Sequence, residues 1–247
     1  MAQDYGDREQ LQAGAARIAV IIPVLNEEDS IGRVIKDIPV ELHATVIVAD
    51  NGSVDGSMEA ARRAGAIVVR EDERGYGAAC LRGMLEAARH DPDIVVFLDG
   101  DYSDFPGEMP LLIEPILRDA ADMVIGSRVR GRHEQGALLP QARFGNWLST
   151  RLIKLFWRIE FTDLGPFRSI RWPALQALNM ADRNYGWTVE MQIKAAKHGL
   201  QCCEVPVSYR KRIGVSKVTG TIQGTFKAGV KILWTIALHV FSGRPRS

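Results

Sequence analysis

Residues 94–101 read Ile94-Val-Val-Phe-Leu-Asp-Gly-Asp101. The apolar, β-branched run up to Asp99 marks a strand buried on both faces, because a strand open to water on one side alternates apolar with polar residues. Asp99 and Asp101 then stand at the strand's carboxyl end, the edge at which open α/β sheets bind their ligands. Two carboxylates one residue apart suit a hard divalent cation: Mg²⁺ takes oxygen ligands, commonly one or two carboxylates plus substrate phosphates. D-x-D is also common in turns, so the pair alone is a weak signal and its surroundings decide.

Outward from this segment the same kind of run recurs. Residues 17–23 (RIAVIIP), 44–50 (ATVIVAD), 67–70 and 123–126 are short apolar strands. Between them lie amphipathic helices. In NEEDSIGRVIKDI, Ser30 is placed to N-cap a helix whose Ile31, Val34, Ile35 and Ile38 follow helical spacing. A second helix follows the turn at residues 50–56, and a third spans 77–89. Alternation with short connections predicts a Rossmann-like α/β fold, a mostly parallel central sheet with helices on both faces. In that arrangement Asp50 and the loop Val24-Leu-Asn-Glu-Glu28 share the sheet edge with Asp99.

The second half reads differently. Residues 146–159 (NWLSTRLIKLFWRI) form a helix with Leu148, Leu152, Leu155 and Ile159 on one side and Arg151, Lys154 and Arg158 on the other. A helix at 188–198 precedes CCEVPVSY (202–209), an edge-type strand because Pro206 interrupts it. The last helix, 221–241, carries Lys227, Lys231, Thr235 and His239 every four residues, one polar stripe on an otherwise apolar cylinder. Those lysines argue against a membrane span, which needs ~20 predominantly apolar residues, and favour an amphipathic helix packed on the domain or lying in an interface.

Composition excludes several classes. With 46% hydrophobic and 25% charged residues in 247, the chain is neither disordered nor low-complexity. Cys80, Cys202 and Cys203 make neither a disulfide framework nor a zinc site, and the five histidines lack ligand spacing. The polar, acidic start MAQDYGDREQ is no secretory signal, so a cytoplasmic protein is expected. Residues 1–127 carry 11 Lys+Arg against 24 Asp+Glu, and residues 128–247 carry 20 against 6. An acidic half suits a metal; a basic half faces phosphate, nucleic acid or an anionic membrane.

Taken as an ordered series, the motifs resemble family 2 glycosyltransferases with the GT-A fold. The series is IIPVLNEE from Ile21, VADNGSVDGS from Val48, RGYGAACLRGM from Arg74 and LDGD from Leu98. The GSR ending at Arg128, TDLGPFRSIR from Thr162, YGWTVEMQIKAAKHG from Tyr185 and EVPVSYRKRIGVSK from Glu204 are similar to the dolichyl-phosphate mannose or glucose synthase group. The resemblance implies a polar tail at 1–16, a GT-A domain at 17–220 and an amphipathic helix and tail at 221–247. It assigns Pro23, Leu25, Glu27, Val48 and Asp50 to a nucleotide-sugar wall. Asp99 and Asp101 would hold Mg²⁺ or Mn²⁺ as metal ligands and catalytic residues, with Gly100 and Ser103 beside the diphosphate. Arg128, Arg212 and Lys217 would face donor and acceptor phosphates. The chain departs from the group at Ser103, where Gln is common, and at Leu164-Gly-Pro-Phe-Arg168, where Thr-Ser-Gly-Phe-Arg is usual.

The implied reaction is metal-dependent, inverting transfer of a hexose from a UDP-glucose or GDP-mannose type donor to a polyprenyl or dolichyl phosphate. Such an enzyme works at the membrane's cytoplasmic face, as a peripheral protein with no nucleic-acid partner. A phosphate monoester is already anionic at neutral pH, with a second pKa near ~6, and requires no general base. Transfer to a hydroxyl of a soluble acceptor requires one, with Asp163 or Glu190 as candidates. A catalytically silent sugar-nucleotide binder is the third reading, and the intact DGD argues against it.

Overall fold

In the computed structural model, which describes residues 16–214 and 222–241, strand β1 (Ile18–Val24) lies between β2 (Thr45–Asp50) and β4 (Ile94–Phe97). Its alternate residues feed two cores. Ala19 and Ile21 join one hydrophobic cluster, while Ile18, Val20, Ile22 and Val24 join the other. Burying such a Val or Ile contributes about 1.5–3 kcal/mol, which is why the run is apolar without alternation. The sheet continues through β3 (Ile67–Arg70), β5 (Met123–Ser127), β6 (Arg168–Arg171) and β7 (Cys202–Pro206) in the order β3-β2-β1-β4-β6-β5-β7. All pairings are parallel except those of β6, which runs antiparallel to β4 and β5. The mostly parallel α/β sheet expected from the sequence is therefore present.

Helices cover both faces. α1 (Ile31–Lys36), α2 (Ser57–Arg63) and α4 (Met109–Leu117) pack on one side. α3 (Tyr76–Ala87), α5 (Pro140–Trp157), α6 (Trp172–Leu178) and α7 (Trp187–Lys197) pack on the other, where the final helix α8 (Ile222–Phe241) inserts Ile236. Pairing of Val24 with Asp50 and of Ile21 with Phe97 brings the carboxyl ends of β1, β2 and β4 to one edge. As Pro206 led us to expect, β7 is an edge strand and stops there.

Three local expectations need correction. Ser30 occupies the N-cap position of α1 but its hydroxyl makes no cap; it donates to Glu27 instead. α5 starts earlier than expected and buries Ser149, Thr150 and Ile153; of its leucine row Leu152 packs against the core, while Leu155 is exposed beside Phe156. α8 is turned inside out. Thr235 of its polar stripe is 4% exposed, and Lys231 pairs with Asp182 at 2.8 Å, whereas Trp234 is 59% exposed alongside Leu233, Leu238 and Phe241. Lys227 lies outside the residues whose side chains are described, as do Lys217 and all of the expected tail but Ala16.

Candidate active site

The loops after β1 and β2 are laced together by side chains. Asn26 adopts a left-handed conformation (φ 53°), and its Oδ1 accepts from the backbone N–H of Val54 at 2.9 Å. The backbone N–H groups of Asn26 and Glu27 donate to Ser53 and Ser57 hydroxyls at 2.9 and 2.7 Å. Asp50 is fully buried and its carboxylate accepts from the N–H groups of Gly52 and Ser53. It shapes the turn. Val48 is enclosed in the core with no surface to offer a ligand, while Pro23 and Leu25 are half-buried and Glu27 is nearly buried at the rim. Of the five residues assigned to a nucleotide wall, Val48 and Asp50 thus lie behind the surface and Pro23, Leu25 and Glu27 reach it.

Gly75 and Gly77 open α3 for a packing reason. A Cβ on either would lie 2.0 Å from a carbonyl oxygen of the passing chain, that of Arg183 for Gly75 and of Asp182 for Gly77. This close approach seats Tyr76, whose hydroxyl donates to Asp99 Oδ1 at 3.1 Å.

Asp99 and Asp101 line the same cavity. Burial, the neighbouring Asp101 charge and their low-dielectric setting push the Asp99 carboxyl up to about 7, with Arg212 opposing. Asp101 Oδ1 accepts from Ser103 N–H at 2.9 Å and from its hydroxyl at 2.5 Å, and Oδ2 meets Arg212 Nη2 at 2.5 Å. Ser103 is fully buried, so it orients Asp101 rather than facing a ligand. A side chain at Gly100 would press on Val24 at 2.9 Å. Behind the pair, Asp104 is buried with its Oδ1 lacking a hydrogen-bond partner among the described residues, and burial raises its carboxyl well above the usual range. These oxygens suit a hard divalent cation. No cluster of three or more acid, His or Cys side chains among the described residues is arranged to hold one alone.

From Asp99 and Asp101 a cavity of about 980 Å³ runs to α5. Arg128, Arg143, Arg151, Lys154, Lys211 and Arg212 line it, together with Leu138, Leu139, Phe144, Trp147 and Phe161. Its carboxylates at this end are occupied. Asp163 is 1% exposed, and both its oxygens accept from Arg128: Nε at 2.8 Å, Nη2 at 2.7 Å and the backbone N–H at 2.8 Å. This bidentate clamp is the reason the Arg128 guanidinium holds its proton more firmly than usual despite burial. Glu204 on β7 fixes the clamp from beneath by accepting from Thr162 and Asp163 N–H groups at 2.7 and 3.1 Å. Asn146 of α5 pins the same turn through Thr162 O and Leu164 N–H. Glu190 does not line the cavity; it accepts from Ala181 and Asp182 N–H groups and pairs with Lys194 at 2.8 Å.

Sequence reasoning missed Tyr76, Asp104, Asn146 and Glu204. It also missed Arg168, a fully buried guanidinium that donates to the carbonyls of Leu164, Gly165 and Thr188 and whose pKa burial lowers to about 10. Tyr76 in the RGYG motif, Arg168 in TDLGPFRSIR and Glu204 at the head of EVPVSYRKRIGVSK lay inside motifs of the resemblance; Asp104 and Asn146 carried no such signal.

Comparison with known proteins shows the family and the fold. The family model described as Glycosyl transferase family 2 matches residues 19–177. An uncharacterized glycosyltransferase of Mycobacterium tuberculosis is 36% identical over 214 residues, covering 85% of this chain and 94% of the relative. A dolichyl-phosphate hexose transferase of Haloferax volcanii is 33% identical over 207 residues, covering 81% and 86%. Among solved structures, glucosyl-3-phosphoglycerate synthase from M. tuberculosis, in complex with Mn²⁺, UDP and glucosyl-3-phosphoglycerate, superposes with a TM-score of 0.75 at 23% identity, covering 100% of this chain and 88% of that one. That likeness confirms the GT-A fold. The chain belongs to glycosyl transferase family 2 and is a nucleotide-sugar-dependent glycosyltransferase.

Proposed function

We propose that the enzyme transfers a hexose from a UDP- or GDP-sugar to the phosphate of a polyprenyl carrier, with inversion at the anomeric carbon. One observation carries this reading: the cavity beside Asp99 and Asp101 is lined by six cationic side chains and apolar residues, while the carboxylates at its far end are engaged, Asp163 by Arg128 and Glu160 by Lys154. A hydroxyl acceptor needs a carboxylate free to take its proton. Asp163 and Glu190 are both engaged in ion pairs and backbone hydrogen bonds. A phosphate acceptor needs only positive charge to hold it.

In this reading Pro23, Leu25 and Glu27 contact the nucleoside, with Val48 and Asp50 supporting them, and Gly100 and Ser103 shape the diphosphate loop. Asp99 and Asp101 hold a divalent cation, Mg²⁺ or Mn²⁺, as expected where a relative of the same fold is solved with Mn²⁺ and UDP. When bound, that cation neutralises charge building on the departing diphosphate. Arg128, held rigid by Asp163, orients the acceptor phosphate so that its oxygen attacks the anomeric carbon opposite the leaving group. Arg212 faces the phosphates; Lys217, assigned the same role from the sequence, lies outside the described residues.

The acceptor's lipid tail requires a membrane surface. No helix among the described residues is long and apolar enough to cross a membrane. Phe144 and Trp147 at the cavity wall, Leu155 and Phe156 on α5, and Trp234, Leu238 and Phe241 on α8 are instead all exposed. Interleaved with the α5 cations, they have the composition of helices lying in a headgroup layer. The apolar outer face of α8, rather than its lysine stripe, makes the contact.

Labelled UDP-glucose and GDP-mannose, each with Mn²⁺ and a short-chain polyprenyl phosphate, test the proposal. Label should pass into the organic phase. Transfer only into a water-soluble product with 3-phosphoglycerate would overturn it.

A further inference from the structure

Asp101 has one oxygen committed to Ser103, and the other, Oδ2, meets Arg212 Nη2 at 2.5 Å. The same guanidinium approaches Glu27 Oε1 at 3.7 Å. The chain on either side of Arg212 is tied to the Asp101 loop. Ile213 N–H donates to Asp101 O, and the second neighbouring tether runs from Arg210 N–H to Ser103 O, each at 2.9 Å. The pairing is therefore built into the course of the chain. Yet Arg212 Nε is buried with no hydrogen-bond partner among the described residues. The guanidinium is satisfied at its Nη2 end and keeps an unused donor, for which a phosphate oxygen is a natural partner.

A guanidinium and a divalent cation seek the same partly desolvated carboxylate oxygen, and two positive groups crowded onto it repel. We propose that Arg212 is a built-in competitor of the cation for Asp101. The cation then binds weakly by itself and tightly together with a nucleoside diphosphate, whose phosphates draw the guanidinium onto themselves and release Oδ2. Metal and donor load as a unit, and the cost of a bare cation between Asp99 and Asp101 is avoided. The inference rests on Asp101 being a cation ligand, as in the function proposed above.

Electron paramagnetic resonance of free Mn²⁺, titrated against the full chain with and without UDP or GDP, tests it. Without nucleotide, Arg212→Gln should tighten Mn²⁺ binding about tenfold, the weight of one charge-assisted hydrogen bond. It should also shrink the gain in Mn²⁺ affinity that the nucleotide brings. Arg212→Lys, which keeps the charge, should behave more like the parent. Lys211 lines the same cavity, so Lys211→Gln controls for the general field and should change Mn²⁺ affinity by less than about twofold. Equal tightening by both Gln variants, or none by Arg212→Gln, would overturn the proposal. Asp101→Asn in the Arg212→Gln background separates the two layers. Loss of Mn²⁺ binding there supports Asp101 as the ligand whatever Arg212 does, and retained binding would refute both assignments.

Discussion

The two ends of the active-site cavity use carboxylates in opposite ways. At the sheet edge Asp99 and Asp101 sit side by side facing the cavity, and burial with mutual repulsion holds the Asp99 carboxyl near 7. At the α5 end Asp163 is clamped by Arg128 and braced from below through Glu204. In the first place two carboxylates are crowded against one partly satisfied guanidinium, Arg212, an arrangement that favours an added cation once that guanidinium is drawn away. In the second a carboxylate is spent on fixing a guanidinium, an arrangement that favours an added anion. Under the proposed function, the first end takes the diphosphate and the second the acceptor phosphate, with no proton transfer required.

The contrast breaks most severely at the sheet edge. Asp101→Asn should lower kcat by about 10³-fold, since a cation at a leaving group supplies several kcal/mol, with the thermal midpoint little changed because the site lies on the rim of the sheet. Near-normal turnover in excess EDTA would contradict the assignment. The proton on Asp99 sharpens the same end. Because the raised carboxyl must ionise to bind a cation, Mn²⁺ affinity should weaken as pH falls through about 7, by about tenfold between pH 8 and pH 6. A flat profile would place the cation elsewhere.

At the outer surface, Trp234→Glu with Leu238→Glu changes residues that are 59% and 50% exposed, so folding should be unaffected. Flotation with anionic vesicles should fall severalfold, and adding salt or changing Arg151, Lys154 and Arg158 to Glu should weaken it further. A parent chain that never floats at low salt would remove the membrane from the account. The smallest effect belongs to Glu190→Gln, which should cost less than about tenfold in kcat, against the ~10²–10⁴ expected for losing a general base.

How much of this was legible depends on how local its cause is. The strands β1, β2 and β4 announce themselves because helices cover both faces and their runs are almost wholly apolar; Asp99 and Asp101 follow from their place after β4. β6 is invisible because Arg168 and Arg171 flank its Ser169 and Ile170, and Arg168 is tolerated in the core only through carbonyls of the 164–165 turn and Thr188. α4 is masked by Pro110 and Pro115, although a proline in the first turn loses no helical hydrogen bond. The stripe on α8 was readable, but its direction was not: Asp182 receives Lys231, and Lys197 donates to His239 O, both from elements distant in sequence. Likewise nothing near Arg128 foretells Asp163, 35 residues away.

The central claim is that the acceptor end binds a phosphate and supplies no base. It is tested most directly by offering the enzyme, under one set of conditions with donor and Mn²⁺ saturating, a polyprenyl phosphate and the polyprenol of the same chain length. The account predicts transfer to the phosphate and none detectable to the alcohol. Comparable glycosylation of the alcohol would contradict it.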